Sequence, residues 1–220
     1  MRADLALALA ALLCATPAEA QDAEPAAPTA DTEPDPERRK THRARDYTRA
    51  LRTWTRELKL YRDFESKLLM RALFRSKSFR ETYSREYARR FMLPSDDYAL
   101  LRERQLDDGA RFHEMLIAVW AADTKGGHFV GDDAPWQIRL VGPDGRSVAP
   151  LVLQRVKRPS TELLELFPFI TGHDRVFIAK FPVLGDDGTP LLPGDGALRL
   201  RVAGVLARGE MNWESAERRR

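Results

Sequence analysis

Cysteine is nearly absent from this sequence. Its 220 residues include a single one, Cys14, so no disulfide can form within the chain. A domain without disulfides must gain its stability from the burial of apolar side chains. The length suffices for one such core or two small ones, since domains typically comprise roughly 100 to 150 residues.

Long hydrophobic runs are missing as well. The longest, at residues 5–13, follows Arg2 and precedes the tripeptide Ala18-Glu19-Ala20. A basic residue, a short apolar run and an A-x-A site are typical of a secretory signal peptide, here residues 1–20, cleaved after Ala20. The run is shorter than the about 20 residues that span a bilayer, and no later run approaches that length. We therefore predict a periplasmic or secreted protein without a transmembrane segment.

Cleavage after Ala20 would also remove Cys14, the only thiol. The mature protein would then have neither a thiolate nucleophile nor a cysteine-ligated metal. A lipoprotein anchored at Cys14 is the alternative. Leu13 disfavours it, because lipoprotein processing requires a small residue before the cysteine.

Charge is unevenly distributed along the chain. Residues 21–36 contain five acidic residues and no basic one, with prolines and alanines but no large apolar side chain. Such a segment buries too little surface to offset ordering, so we predict a disordered acidic linker over 21–45 that runs into a basic stretch. Residues 37–92 contain 18 Lys or Arg and 7 acidic residues. A short basic tail is predicted at 216–220.

The basic segment has helical periodicity. Between Tyr47 and Phe91 the apolar residues recur at steps of three and four, which is typical of amphipathic helices. A break near Lys77 predicts a helical hairpin. Ser95 as N-cap and Gly109 as C-terminal signal predict a short third helix over 96–107. The basic helical region is thus predicted to cover 46–109.

Beyond Gly109 the period changes to that of strands. Short alternating runs separated by glycine, proline and aspartate indicate an antiparallel β-sandwich of immunoglobulin-like type over 110–215. The turn 142–145 predicts a hairpin between its flanking strands. The predicted strands are 112–122, 136–141, 151–156, 175–181, 197–202 and 205–213. The predicted fold class is α+β, with the helical hairpin and the short third helix packed on the sandwich.

One predicted strand is apolar on both faces from Met115 to Trp120. A sandwich buries one face of each strand and normally leaves the other to water. We therefore expect the helical aromatic residues to cover its second face. These are Phe79, Tyr83, Tyr87 and Phe91.

Packing and turn residues over 112–214 carry a resemblance. They are Trp136, Gly145, Pro150, the Leu-Phe-Pro-Phe run at 166–169, Phe181-Pro182 and Asn212-Trp213. Together they resemble a β-sandwich found in uncharacterised exported bacterial proteins and lipoproteins. The resemblance implies a fold and an exported location, and it implies no activity. Its lipoprotein members carry a lipobox, which Leu13 breaks here.

No familiar catalytic or cofactor motif occurs in the sequence. The histidines lie too far apart for a helical or strand pair of metal ligands. They are His42, His113, His128 and His173. His113-Glu114 and His173-Asp174 place a base beside a carboxylate, but neighbours on a strand point to opposite faces. Serine elbows and glycine-rich phosphate loops are missing too. No enzymatic activity, cofactor or metal is predicted.

Two acidic clusters require comment. Asp132-Asp133 and Asp186-Asp187-Gly188 offer oxygen ligands for calcium, but neither has the alternating spacing of a calcium loop. Turn formation is the expected role of both clusters.

The basic segment offers the best candidate binding surface. Its polar face is predicted to present Arg49, Arg52, Arg56, Lys59 and Arg62 to an anionic surface, or simply to solvent. We expect a non-enzymatic interaction or scaffolding module of the cell envelope, with an envelope protein or anionic surface as partner. Export argues against nucleic acid. The alternatives are a peripheral membrane protein that uses the basic helices and a hydrolase with a dispersed site.

Overall fold

In a computed structural model of the protein, the described residues are 36–62, 64–122, 127–131, 133–192, 197–205 and 207–213. The predicted signal peptide with Cys14 and Ala20, residues 21–35 of the predicted linker and the tail 216–220 lie outside them. Residues 36–45, predicted as the end of a disordered linker, belong instead to a helix. The described residues from Pro36 onward form one compact unit.

The described residues of this unit form four helices and nine strands. The helices are α1 (Pro36–Trp54), α2 (Lys77–Arg90), α3 (Ser95–Arg111) and α4 (Thr161–Leu166). The strands are β1 (Thr55–Arg62), β2 (Glu65–Phe74), β3 (Phe112–Trp120), β4 (Trp136–Val141), β5 (Ser147–Val148), β6 (Val152–Val156), β7 (Arg175–Pro182), β8 (Leu198–Gly204) and β9 (Arg208–Trp213). The predicted α+β class is confirmed.

The strands form two antiparallel sheets. One has the order β1-β2-β3-β7-β6 and the other the order β5-β4-β8-β9. The main hydrophobic core draws on both sheets, with Ile117 and Phe177 from the first and Leu200 and Trp213 from the second. The sheets therefore pack face to face, as in a sandwich.

The helical hairpin predicted over residues 47–91 is wrong in its first half. α1 leads directly into β1, and β1 and β2 form an antiparallel β-hairpin in place of a helix. Leu68, Met70 and Ala72 are buried at alternate positions and pack in the main core. Side chains at alternate positions of a strand point to the same face, so these three residues form one row against the second sheet. In a helix, residues spaced two apart would point in different directions. The predicted boundary at 109/110 falls inside one sheet, since β2 pairs with β3.

Other predicted elements fare better. The third helix is present as α3, and β4 has the predicted bounds. The turn at 142–145 does close a hairpin, with Gly145 at φ +87°. The strand after the turn is the short β5, however, and the predicted partner 151–156 is β6 in the other sheet. Pro150 lies between the two strands, where it has no amide to continue the ladder.

The second face of β3 is covered, as expected. Leu116 and Ala118 belong to a second hydrophobic cluster with Phe79 and Tyr83 of α2. The segment after α4 also contributes, since the Tyr83 and Phe167 rings stack with centroids 5.9 Å apart. Of the aromatic residues named from the sequence, Phe91 remains 44% exposed.

Candidate functional site

The five basic residues predicted to share a helix face do not do so. Arg49 and Arg52 lie on α1, whereas Arg56, Lys59 and Arg62 lie on β1. Residues 56 and 59 point to opposite faces of that strand, because strand side chains alternate. The side chain of Arg62 lies outside the described residues. The predicted helical binding face is therefore corrected to two separate groups.

Several of these residues also have partners within the chain. The Arg56 guanidinium donates to the Asn212 carbonyl at 2.7 Å and lies over the Trp213 ring. Lys59 Nζ is 3.0 Å from a Glu57 carboxylate oxygen, and Arg49 is 3.8 Å from Asp46. Arg56 thus ties β1 to β9.

A buried ionic cluster joins two helices to β3. Glu114 Oε1 accepts a hydrogen bond from Arg75 at 2.7 Å, and its Oε2 accepts one from Arg80 at 2.9 Å. Both arginines also donate to Gln105 Oε1 of α3. Arg80 and Glu114 are 0% and 4% exposed. The central pair of the cluster is buried, so we assign the cluster to anchoring and not to ligand binding.

The charges of this cluster compensate one another. Burial acts to raise the pKa of Glu114, but the guanidinium groups of Arg75 and Arg80 outweigh it and lower that pKa overall. Burial lowers the pKa of Arg80, which as an arginine still stays protonated. The carboxylate is therefore ionised and fully engaged.

Neither histidine–carboxylate neighbour pair forms a catalytic dyad. His113 Nε2 is buried without a hydrogen-bond partner, while Glu114 binds its arginines on the opposite face of β3. The Asp174 carboxylate accepts hydrogen bonds from the Thr171 amide at 2.7 Å and the Thr171 hydroxyl at 2.9 Å. Strand alternation separates the first pair, and a turn holds the carboxylate of the second.

In the part of the chain that the structure describes, no side chains are assembled into a metal site. No three His, Cys, Asp or Glu side chains come together there. Asp187 accepts hydrogen bonds from Thr189 and from Arg146, as expected of a turn residue. Over the same residues, no helix is both long and apolar enough to cross a membrane.

A cleft of about 490 Å³ lies where β3 and β6 end and β7 begins. Trp120 forms part of its wall and is 38% exposed. Pro159 and Leu164, which follow β6, form another part. The basic side chains that line it are Arg155, Lys157, His173 and Arg175.

Basic residues outnumber acidic ones among the described residues that line the cleft. Among the described residues that line it, Asp174 is the only acidic one, and this carboxylate is 3% exposed, bound to Thr171 and 3.7 Å from Arg71. Arg155 and Lys157 are exposed, and no hydrogen bond or ion pair among the described residues engages their charged groups. A concave surface with unpaired positive charge favours anions.

The Arg175 guanidinium lies close to the backbone of Gly127. A Cβ atom at Gly127 would lie 2.2 Å from a guanidinium nitrogen, so a larger residue there would displace the end of this flexible side chain. Arg175 also begins β7, where it pairs with Val119. Arg175 thus lies at one wall of the cleft, at the start of β7.

The sequence signal for this cleft was weak. Arg155, Lys157 and Arg158 lie close together in the chain, but they belong to no motif. Trp120 and Arg175 come from other strands, and only the pairing of β3 with β7 and of β7 with β6 brings them together.

Comparison with known protein families, with curated proteins and with solved structures gave no match. The functional argument therefore rests on the geometry of the cleft.

Proposed function

We propose that this protein is a non-enzymatic interaction module of the cell envelope that binds an anionic ligand in the cleft at the end of the larger sheet. The observation that carries the proposal is the set of basic side chains around one sequestered carboxylate. Arg155 and Lys157 offer guanidinium and ammonium donors with no competing partner among the described residues.

The chemistry of the cleft suits recognition of carboxylates or phosphates. Arg155 can present a planar pair of donors to such a group, and Lys157 adds a mobile point charge. Hydrogen bonds to charged groups contribute about 1.5 to 3 kcal/mol each. Trp120 supplies an apolar wall next to these charges. A ligand with both an anionic and an apolar part fits this combination.

A binding role is favoured over hydrolysis. His173 lies beside the cleft, but the neighbouring Asp174 carboxylate is occupied by Thr171 and cannot orient it. A general base needs an orienting partner and a nucleophile within hydrogen-bond reach.

The exported location belongs to the same proposal. It rests on the predicted signal peptide with cleavage after Ala20 and on the resemblance to exported β-sandwich proteins. An immunoglobulin-like arrangement of the two sheets is likewise proposed from the strand pattern and the resemblance.

Fluorescence titration tests the binding proposal. Trp136 and Trp213 are buried and Trp54 does not line the cleft, so Trp120 is the tryptophan that a ligand in the cleft can reach. Citrate and inorganic phosphate serve as probes. We expect a saturable change in emission that Trp120→Phe removes, with an affinity that falls as salt rises.

Charge removal provides the matched comparison. Arg155→Ala combined with Lys157→Ala should weaken binding by at least about tenfold, equivalent to about 1.4 kcal/mol. Arg158→Ala removes an adjacent exposed charge that does not line the cleft, and it should change affinity less than about twofold. Equal effects of the two changes, or no binding of either anion, would refute the proposal.

A further inference from the structure

The cleft is continuous with an open sheet edge. Resting on the function proposed above, we propose that the ligand is an extended acidic peptide segment that pairs with the outer edge of β6 and places its carboxylates beside Arg155 and Lys157. The peptide would become a sixth strand of the larger sheet, a mode of recognition that combines main-chain hydrogen bonds with side-chain selection.

β6 is the end strand of its sheet. It pairs with β7 from Val152 to Val156, and no strand among the described residues pairs with its other edge. The main-chain amide and carbonyl groups along that edge are available to a further strand. Two of its residues line the cleft as well, so a strand added here runs into the basic site.

The opposite edge of the same sheet is occupied differently. β1 lies against β9 of the second sheet, where the Arg56 guanidinium donates to the Asn212 carbonyl at 2.7 Å and Trp213 Nε1 donates to the Trp54 carbonyl at 2.7 Å. A Cβ atom at Gly209 would come within 2.8 Å of Leu58. This close packing leaves β6 as the more accessible edge of the larger sheet.

The sequence of β6 is suited to pairing. Neither proline nor glycine interrupts Val152–Val156, and its two terminal valines are β-branched residues that favour strands. Leu151 and Val152 are 62% and 42% exposed. An incoming strand would cover these apolar side chains at one end and meet the positive charges at the other.

Charge selects an acidic peptide over a second copy of the chain. Two β6 strands paired edge to edge would bring the Arg155 and Lys157 side chains of both copies into one small sheet region. Like charges in neighbouring strands are destabilising, whereas opposite charges contribute roughly 0.2 to 1 kcal/mol per pair. Glutamate or aspartate at alternate positions complements this edge.

The test varies the ligand and leaves the protein unchanged. The probe is a capped hexapeptide of alternating glutamate and threonine. Two backbone-modified forms carry N-methyl groups on alternate residues, one in each register, so that one form loses every amide facing β6. We expect the parent peptide to bind and to slow hydrogen exchange of residues 151–157, and one N-methylated form to bind at least about tenfold more weakly.

The outcomes separate this inference from the proposed function. If inorganic phosphate binds in an Arg155-dependent way and both N-methylated peptides bind as well as the parent, the cleft binds anions but edge pairing is refuted. If the binding of phosphate and the binding of the peptide are both independent of Arg155, the proposed function is refuted and the inference is refuted with it. A dimer whose residues 151–157 are protected without peptide would assign the edge to a second copy and overturn the inference.

Discussion

His113 and Glu114 are neighbours on β3, and they show how differently the two faces of this strand are built. The Glu114 side chain lies on the helix-covered face, where two arginines satisfy both of its oxygens. His113 lies on the face that is turned toward the second sheet, with its Nε2 buried and without a partner. Its ring contacts Phe74, with centroids 6.1 Å apart.

The difference shows what each face tolerates. The inter-sheet face is filled by Met115, Ile117 and Val119, which offer nothing polar, so a titratable group there remains neutral. The helix-covered face admits charge because Arg75 from the end of β2 and Arg80 from α2 both reach it. One face therefore depends on apolar burial and the other also on complete ionic pairing.

Glu114→Ala should produce the largest effect. It leaves the buried Arg80 without its counter-charge, and the loss of one partner of a buried pair costs about 3 to 5 kcal/mol. Glu210→Ala is the control, since Glu210 pairs with Arg201 at 2.7 Å on the exposed surface, where such pairs contribute about 0 to 1 kcal/mol. Denaturant unfolding measures both. Similar losses in the two variants would show that the cluster does not anchor the helices.

The pH dependence of stability tests the inter-sheet face of β3, where His113 lies. Burial lowers the pKa of His113 from 6.5 to about 4. Above pH 6.5 the imidazole is neutral in both states, so its full contribution is present. Below pH 6.5 the unfolded chain takes up a proton that the folded chain refuses until about pH 4, so stability falls across that window by at most about 3 kcal/mol.

His113→Phe isolates this contribution. We expect the difference in unfolding free energy between the wild-type protein and the variant to change between pH 6.5 and about 4 and to be flat above it. The Glu114 contribution has a different window, because its lowered pKa makes it disappear only as the pH falls below 4.5. A pH-independent difference would mean that water or a partner reaches His113.

The covering of both faces of β3 was predictable, but the elements around the strand were only partly so. A strand that is apolar at its even- and odd-numbered positions needs another element packed on each of its two faces. The aromatic residues of α2 were the available candidates for the second face. The ionic cluster was not predictable, since its members come from the segment that follows β2, from α2, from α3 and from β3. None of the pairs formed by Arg75, Arg80, Gln105 and Glu114 has local sequence spacing that indicates contact.

The misassigned hairpin shows why short apolar runs mislead. Leu58 and Tyr61 fit a helical stripe, yet Leu58 and Leu60 also fit strand alternation, and the second pattern is the one that packs in the core. Pairing of β2 with β3 decides between them. A cut before residue 110 would consequently remove two strands of the larger sheet, so the helices and the sandwich cannot be separated there.

The smallest effect is expected at the start of α2, the helix that carries Arg80. The Ser76 hydroxyl accepts a hydrogen bond from the Phe79 amide at 3.2 Å and caps the helix. Ser76→Ala should cost about 1 kcal/mol, the usual effect of losing such a cap, and Ser76→Thr, which keeps the hydroxyl, should cost less. Thermal and denaturant unfolding provide the measurement.

A double variant connects this cap to the contrast between the faces. If α2 is positioned jointly by its cap and by the Arg80–Glu114 pair, the losses from Ser76→Ala and Glu114→Ala should not add, because the two sites act on the same helix end. Ser160→Ala removes an equivalent cap from α4, which has no part in the cluster, and its loss should add to that of Glu114→Ala. Simple addition for both serines would mean that the cluster fixes Arg80 without any contribution from the helix start.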